Sequence, residues 1–340
     1  MKFKMHYIVF ALVPMALAFG GIEIFLRAID FKYSDRMLEM QWPDHAFPTH
    51  QKARDEAKMN VIKAKRDARQ FWVPVPSFED SHPIQKAPGV TRIATLGCSC
   101  TATCVGSQET YPSYLEKVLN ATGPGKVEIL NAAVGSYSTF QGLQRLKYAA
   151  LPYRPDIVTI FFGWNDHWIT FREDKDLKVR SDFEIYLLNF LEFFRTYQGY
   201  HWLIANSGKL IRGVRETQAV KLRVSPQDFT ANLNQMIDLA QQGGAKVLLI
   251  TAPSDFRNFK PFSCFPLPKE NVTAIHEKYV EIVRHVAAER KVGLLDLAAA
   301  VSQMPADSVL SRDGIHFRDP GCRVVAEMLA NTLRRAGWIK

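Results

Sequence analysis

Short apolar runs, each ending in small or polar residues, recur from about residue 91 onward. The runs are VTRIATLG, KVEILNAAVG, DIVTIFFG, AKVLLITAP and VGLLDL. Each is suited to a buried strand of about five residues. Segments with helical spacing separate most of them, and the predicted helices cover residues 111–120, 139–149, 226–242, 270–290 and about 320–335. This alternation predicts an α/β domain over residues 91–340, a three-layer α/β/α sandwich with a parallel five-stranded sheet.

The amino-terminal segment has a different pattern, because residues 7–22 contain no charged side chain. With the apolar residues that follow Glu23, the run over residues 7–26 is long enough to cross a bilayer as a helix. Lys2 and Lys4 precede it and would keep the amino terminus in the cytoplasm. We therefore expect one transmembrane helix within residues 1–29, with the α/β domain on the extracytoplasmic side.

Two alternatives for this segment stay open. Ala16-Leu17-Ala18 matches the small-x-small pattern of a cleaved signal peptide. A cleaved signal would also export the remainder of the chain. The other alternative is a buried core helix, although an uncharged run of this length at the start of a chain is uncommon in soluble domains.

Two regions flank or interrupt the predicted α/β domain. Residues 30–90 lack strand–helix alternation and are interpreted as a connecting region, with a polar, solvated helix at 50–70. A helical insertion is expected at about 167–225, and its segment 183–204 is rich in aromatic and aliphatic residues at near-helical spacing. This segment is either a helix packed on the domain, or a lid or a helix that lies in the membrane interface.

Composition and charge narrow the class of protein. With 47% hydrophobic and 23% charged residues, the 340-residue chain has the composition of a globular protein. The net charge of +9 could indicate nucleic acid, but no tight Lys/Arg block is present. A basic face near an anionic membrane accounts for the charge equally well. We therefore expect a membrane partner through residues 7–26 and no nucleic acid.

The cysteines are an odd number, and three of them lie within seven residues: Cys98, Cys100, Cys104, Cys264 and Cys322. This is not the framework of a disulfide-stapled mini-protein. No second Cys/His pair stands nearby at a zinc-like spacing, so neither a metal nor a cofactor is expected. Tight packing of small side chains is the favoured interpretation of the cluster. A disulfide within it, or a second nucleophile at Cys98 or Cys100, stays open.

Candidate catalytic residues follow the predicted strands. Ser99 lies in the sequence GCSCT after the first run, where a glycine-flanked turn would expose its hydroxyl. Gly135 ends the second run, and Asn165 follows the third in the sequence GWND. Asp313 stands three residues before His316, close enough to orient its imidazole. Because ligands of parallel sheets bind at the carboxyl ends of the strands, we expect the strand-exit residues to converge there.

These four blocks, in this order, resemble the SGNH (GDSL-like) hydrolase family. The resemblance implies that Ser99 attacks an ester carbonyl, that His316 accepts and returns the proton, and that Asp313 orients the histidine. It also implies an oxyanion hole made by the backbone N–H groups of Ser99 and Gly135 and the side-chain amide of Asn165.

One departure from the family pattern is Cys98, which stands where the family usually has aspartate. That aspartate does not transfer protons, so the change bears on loop geometry and substrate fit rather than on the reaction. His167, Trp168 and the loop at 253–268 are candidate pocket walls.

The sequence therefore predicts an exported, membrane-tethered serine esterase or acylhydrolase that acts on an ester or an acylated carbohydrate. The alternatives are an O-acetyltransferase acting on cell-surface carbohydrate and a non-catalytic SGNH-fold subunit of a membrane complex. The catalytic alternatives are favoured, because a scaffold would not need all four functional positions, and within them water and a sugar hydroxyl would compete for the same acyl-enzyme.

Overall fold

The computed structural model describes residues 5–33, 63–123, 125–170, 173–177, 179–210, 221–256, 269–305 and 308–339. The chain divides into two compact units. The helical unit comprises Met1–Glu39 and Arg180–Ala219, and the α/β unit comprises Met40–Val179 and Val220–Lys340.

The described strands are β1 Lys63–Asp67, β2 Phe71–Val75, β3 Val90–Gly97, β4 Lys126–Asn131, β5 Ile157–Phe161, β6 Ile169–Thr170, β7 Lys221–Leu222, β8 Lys246–Ile250 and β9 Gly293–Leu295. Five of them form a parallel sheet in the order β4-β3-β5-β8-β9, which confirms the predicted sheet. Ile93, Ala94 and Leu96 of β3 are fully buried. The apolar runs are continuous because both faces of the sheet are covered.

The described helices are α1 Met5–Ala28, α2 Ser99–Ala102, α3 Tyr111–Thr122, α4 Thr139–Arg145, α5 Asp182–Leu191, α6 Arg195–Leu210, α7 Pro226–Gln242, α8 Lys269–Arg290, α9 Leu297–Ser302 and α10 Asp319–Arg335. The connection from β3 to β4 moves toward one edge of the sheet. The connections from β4 to β5, β8 and β9 move toward the opposite edge. Because parallel crossovers are right-handed, α3 lies on one face and α4, α7 and α8 on the other. Helix α10 packs against α3. The direction changes between β3 and β5, where such sheets bind ligands.

An antiparallel hairpin precedes the sheet, where the sequence predicted a polar helix. Strands β1 and β2 pair with Lys65 opposite Val73. The Asp67 carboxylate accepts hydrogen bonds from the N–H groups of Arg69 (2.9 Å) and Gln70 (2.8 Å), and this Asx-type turn reverses the chain. The helix prediction is wrong for β1, because this turn and the pairing with β2 outweigh its helical propensity. The rest of that prediction, residues 50–62, lies outside the described residues.

The helical unit contains α1 and the two helices, α5 and α6, of the insertion between β6 and β7. The Glu23 carboxylate accepts hydrogen bonds from the N–H (2.8 Å) and hydroxyl (2.6 Å) of Thr196, in the first turn of α6. Arg27 donates to the carbonyl oxygen of Phe193 at 3.0 Å. The aromatic segment predicted as one helix is thus two, α5 and α6, and it clusters with α1.

The predicted membrane span is not supported. Among the residues that the structure describes, no helix combines the length and the apolar character needed to cross a membrane. Helix α1, which covers the predicted span, also includes the ion pair between Glu23 and Arg27 (2.7 Å).

Candidate active site

Three of the predicted site residues form one hydrogen-bonded chain. Ser99 is the first residue of α2, directly after β3, and its Oγ lies 2.9 Å from Nε2 of His316. The other ring nitrogen, Nδ1, lies 2.6 Å from Oδ2 of Asp313. A carboxylate can only accept, so Nδ1 carries the proton and Nε2 accepts from the serine hydroxyl. This is the tautomer that a general base needs.

Asp313 is held by its own turn as well as by the imidazole. Its Oδ1 accepts hydrogen bonds from the Ser311 hydroxyl (2.7 Å), the Ile315 N–H (2.9 Å) and the His316 N–H (3.0 Å). Burial opposes ionisation of this carboxyl, but the His316 imidazole and these hydrogen bonds outweigh it and hold the pKa of Asp313 well below its usual range. The carboxylate therefore stays charged and fixes the imidazole.

The nucleophile turn depends on close packing between β3 and α2. A Cβ on Gly97 would lie 2.1 Å from Oγ1 of Thr101, so only glycine fits there. At the other end of α2, the N–H and hydroxyl of Thr103 both donate to the carbonyl of Ser99, at 2.9 and 2.8 Å. The first N–H groups of a helix have no partner within it. The Ser99 N–H is therefore oriented as a donor at the start of α2.

The two other predicted oxyanion residues lie at the exits of the strands beside β3. Gly135 follows β4, and a Cβ there would meet no atom within 4 Å, so this position is open. Asn165 follows β5 and is 2% exposed. Its Nδ2 donates to the carbonyl of Tyr137 at 2.9 Å, which engages one of the two amide hydrogens.

The sequence did not predict the residues that support these turns. The Nε1–H of Trp72, on β2, donates to the carbonyl of Gly135 at 3.2 Å. The Tyr137 hydroxyl donates to the carbonyl of Gln70 at 2.7 Å. The hairpin thus holds the loop after β4. No sequence signal connects a polar segment such as β1 with a glycine some 70 positions later.

Asp166 ties the turn after β5 to the start of α4. Its Oδ1 accepts from the N–H (2.7 Å) and hydroxyl (2.6 Å) of Thr139, and its Oδ2 accepts from the N–H of Gly163 (3.1 Å). Burial raises the pKa of Asp166 to about 6, against the hydrogen bonds from Thr139, which lower it. Asp166 is adjacent to Asn165 in sequence, but its partner on α4 was not predictable.

A buried ion pair supports the loop that contains Gly135. Two guanidinium nitrogens of Arg223 donate to the Asp174 carboxylate, Nη2 to Oδ2 at 2.8 Å and Nε to Oδ1 at 3.1 Å. Arg223 Nη1 also donates to the carbonyl of Ser136 at 2.9 Å. Both side chains are fully buried, so each offsets the desolvation of the other.

Of the candidate pocket walls, His167 lies in the buried interior. His167 is 1% exposed, and its Nε2 lies 3.0 Å from Nδ1 of His276 on α8. Nε2 of His276 donates to the carbonyl of Ala252 at 2.9 Å. Trp168 is half-buried. The loop at 253–268 is described only as far as residue 256, and the N–H of Asp255 donates to the carbonyl of Gly314 at 2.9 Å.

The cysteine cluster forms a disulfide with a residue outside it. Cys104 is bonded to Cys322, in α10, which lies 218 positions later in the chain. Cys98 and Cys100 are free and buried. The Cys98 thiol and burial together raise the pKa of Cys100, which disfavours it as a second nucleophile. Cys264 lies outside the described residues.

Comparison with known proteins identifies a family. Residues 94–324 match the model of the GDSL-like Lipase/Acylhydrolase family. A comparison with curated protein sequences finds no match.

Among solved structures, the chain is similar to a lipase/acylhydrolase from Enterococcus faecalis, with 22% identity, a TM-score of 0.49 and coverage of 74% of this chain and 97% of that one. It is also similar to TesA, with 19% identity, a TM-score of 0.46 and coverage of 72% and 99%. A third similar structure is Axe2, an acetylxylan esterase from Geobacillus stearothermophilus, with 14% identity, a TM-score of 0.44 and coverage of 74% and 96%. Since the family model spans more than half of the 340 residues, the chain belongs to the GDSL-like lipase/acylhydrolase family and is a serine ester hydrolase.

Proposed function

We propose that Ser99 is the nucleophile of this hydrolase, with His316 as its general base and Asp313 as the residue that orients the base. The observation that carries the proposal is the chain of hydrogen bonds from Ser99 Oγ to His316 Nε2 (2.9 Å) and from His316 Nδ1 to Asp313 Oδ2 (2.6 Å). In the first step, Ser99 Oγ bonds to the ester carbonyl carbon while its proton moves to Nε2. The imidazolium then protonates the departing alcohol, and water releases the acyl group by the same sequence.

The negative oxygen of each tetrahedral intermediate would be stabilised at the exits of β3, β4 and β5. The proposed donors are the N–H groups of Ser99 and Gly135 and the second amide hydrogen of Asn165. Fixed donors of this kind are each worth roughly a hundredfold or more in rate. This proposal is supported by the adjacency of the three strands in the sheet. It is also supported by the hydrogen bonds that Trp72, Arg223 and Asp166 form with the backbone of the loops after β4 and β5.

A fluorophosphonate probe and short-chain nitrophenyl esters test this assignment. We expect the wild type to be labelled and the Ser99→Ala variant to lose both labelling and ester hydrolysis. Ser302→Ala, which changes an exposed serine on α9, is the matched control and should behave as the wild type. A wild type that neither reacts with the probe nor hydrolyses any ester would favour the non-catalytic alternative.

The acyl acceptor decides between hydrolysis and transfer. We propose water as the acceptor and an ester or acylated carbohydrate as the substrate. The same acyl-enzyme could pass its group to a sugar hydroxyl instead. Acylated sugars and lipid esters, incubated with and without oligosaccharide acceptors, separate the two. Release of free acid at a rate independent of the acceptor supports hydrolysis, whereas acylated acceptor as the main product would establish a transferase.

We also propose that the helical unit associates with a lipid surface and that the α/β unit works outside the cytoplasm. Leu17 and Ile24 of α1 and Phe183 and Tyr186 of α5 expose between 70% and 72% of their surface. Large exposed apolar side chains are typical of helices that lie in a membrane interface. The Cys104–Cys322 disulfide supports export, because such bonds persist mainly in oxidising compartments.

Vesicle sedimentation tests the lipid contact. The wild type should sediment with vesicles of phosphatidylcholine and phosphatidylglycerol, and Phe183→Ser/Tyr186→Ser should bind them several-fold more weakly. Asn189→Gln, on the same helix, is the control for a polar change. Equal sedimentation of all three proteins would count against this contact.

A further inference from the structure

The segment after the nucleophile is paired with the segment after the base. Val105 and Arg318 form a parallel β-bridge. The N–H of Val105 donates to the carbonyl of Phe317 at 2.8 Å, and the N–H of Asp319 donates to the carbonyl of Val105 at 3.2 Å. Closer to the site, Sγ of Cys100 contacts the carbonyl of Ile315 at 3.7 Å. The distance between nucleophile and base therefore depends on how these two segments are held together.

A disulfide bond joins the two paired segments next to the β-bridge. Cys104 is the residue before Val105, and Cys322 lies in the first turn of α10, where its N–H donates to the carbonyl of Arg318 at 2.8 Å. The two cysteines are 2% and 0% exposed. Cys104 lies five positions after Ser99 and Cys322 six positions after His316, so the covalent bond lies close to both catalytic residues in the chain.

Two backbone hydrogen bonds and one weak sulfur contact join these segments in addition to the Ser99–His316 bond itself. A hydrogen-bonded pair that must transfer a proton tolerates little displacement, and an error of 1 Å in placement can cost about a hundredfold in rate. Small lateral shifts of the first turn of α10 would change the distance from Nε2 to Oγ. A bond between Cys104 and Cys322 opposes such shifts directly.

We propose that the Cys104–Cys322 disulfide is a positioning element for catalysis, which sets the Ser99–His316 distance and makes the rate of acylation depend on the oxidation state of this pair. The inference rests on the proposed role of Ser99. Forming the bond removes two electrons and two protons from the two thiols. By thiol–disulfide exchange, these pass to the disulfide of an oxidoreductase or of oxidised glutathione, which becomes a pair of thiols. The enzyme thus gains its full rate only where such an oxidant is present.

The test compares the wild type with Cys104→Ala/Cys322→Ala, which removes both sulfurs and leaves no unpaired thiol. We expect kcat for a nitrophenyl ester and the rate of fluorophosphonate labelling to fall together by about tenfold or more, while KM stays within about twofold. Both are measured per folded molecule, well below the unfolding temperature. Leu333→Ala is the control, because this fully buried residue lies on α10 about three turns beyond Cys322 and outside both paired segments. It should lower the unfolding temperature and leave kcat unchanged.

A merely structural disulfide predicts a different result. In that case the double variant would behave as Leu333→Ala does, with a lower unfolding temperature and wild-type kcat and labelling rate, and the proposal would be overturned. If the double variant does not fold, Cys104→Ala/Cys322→Val fills the buried space better and is measured instead.

Equilibrating the wild type in glutathione buffers gives a further readout. Labelling should fall as the bond is reduced, while circular dichroism still reports a folded chain. Constant labelling under those conditions would contradict the proposal. A wild type that is not labelled at all would instead remove the assignment of Ser99, and this inference with it.

Discussion

At the scale of single residues, Asp313 uses its two oxygens for two tasks. Oδ2 accepts from the imidazole, while Oδ1 accepts from Ser311 and from two backbone N–H groups of its own turn. The carboxylate is thus fixed before it fixes the histidine. Its low pKa follows from the same contacts, which all favour the charged form over the neutral one.

We expect Asp313→Asn to lower kcat by about a thousandfold or more. The amide is nearly isosteric, but its NH2 group can donate to Nδ1, which would place the ring proton on Nε2 and prevent that atom from accepting from Ser99. Steady-state kinetics with a nitrophenyl ester measures the loss. Asp238→Asn, a half-exposed change on α7, serves as the control. A loss below tenfold in Asp313→Asn would contradict the orienting role.

At the scale of elements, the β1–β2 hairpin holds the loop that contains Gly135, which follows a different strand, β4. The Trp72 indole donates to the carbonyl of Gly135, and the carbonyl of Gln70 accepts from Tyr137, whose own carbonyl accepts from Asn165. We expect Trp72→Phe to lower kcat by about fivefold, since a hydrogen bond of this kind is worth about 1 kcal/mol. KM should change little. Trp338→Phe, beyond α10, is the matched control, and equal kcat in both variants would show that the hairpin does not influence the loop.

The buried histidine pair joins α8 to the turns after β5 and β8, and it gives the fold a pH dependence. Burial lowers the pKa of His276 to about 4 and lowers that of His167 as well. Between about pH 6.5 and pH 4 the unfolded chain therefore binds more protons than the folded chain, so stability is lost as the pH falls through this window. The loss due to His276 alone is about 3 kcal/mol. Asp166 acts in the opposite sense, because its raised pKa lets the folded state bind a proton first as the pH falls through 6.

We expect the free energy of unfolding to fall less steeply between pH 7 and pH 4.5 in His276→Gln than in the wild type. Urea denaturation at several pH values measures the difference. His285→Gln changes an exposed histidine on the same helix and should follow the wild-type curve. Parallel curves for all three proteins would mean that His276 is not neutral in the fold.

At the scale of the whole molecule, the disulfide closes a chain segment of 218 residues. Constraining so long a loop in the unfolded state is worth about 5 kcal/mol in the chain-entropy treatment. We expect Cys104→Ala/Cys322→Ala to lose a few kcal/mol of unfolding free energy, measured by urea denaturation in the absence of reductant. A midpoint unchanged from that of the wild type would show that the bond does not restrict the unfolded chain.

The sequence predicted the sheet and the three residues that form the Ser99–His316–Asp313 chain of hydrogen bonds, but not the residues that support them. Strands β3, β5 and β8 are largely buried on both faces, so their mainly apolar runs are easy to recognise. Ser99, Asn165 and the Asp313/His316 pair were predicted from their positions after such runs or from their spacing. The β1–β2 hairpin was missed because β1 reads KAKRD and is stabilised by its turn and by contacts with distant residues. The partner of Cys104 was missed for the same reason. The hydrophobic pattern of a segment indicates which of its residues are buried, but it does not indicate which distant segments contact each other.

The separation between nucleophile and base also bears on biosynthesis. Ser99 leaves the ribosome 217 residues before His316 does. At about 5–20 residues per second, translation keeps the serine without its base for on the order of ten seconds or longer. Under the proposed assignment, the Ser99 hydroxyl is an ordinary alcohol during that interval, and we expect a chain that ends before His316 to have no esterase activity. On the same assignment, catalytic activity would indicate that the chain has been synthesised as far as α10 and that the segment of His316 lies beside Ser99.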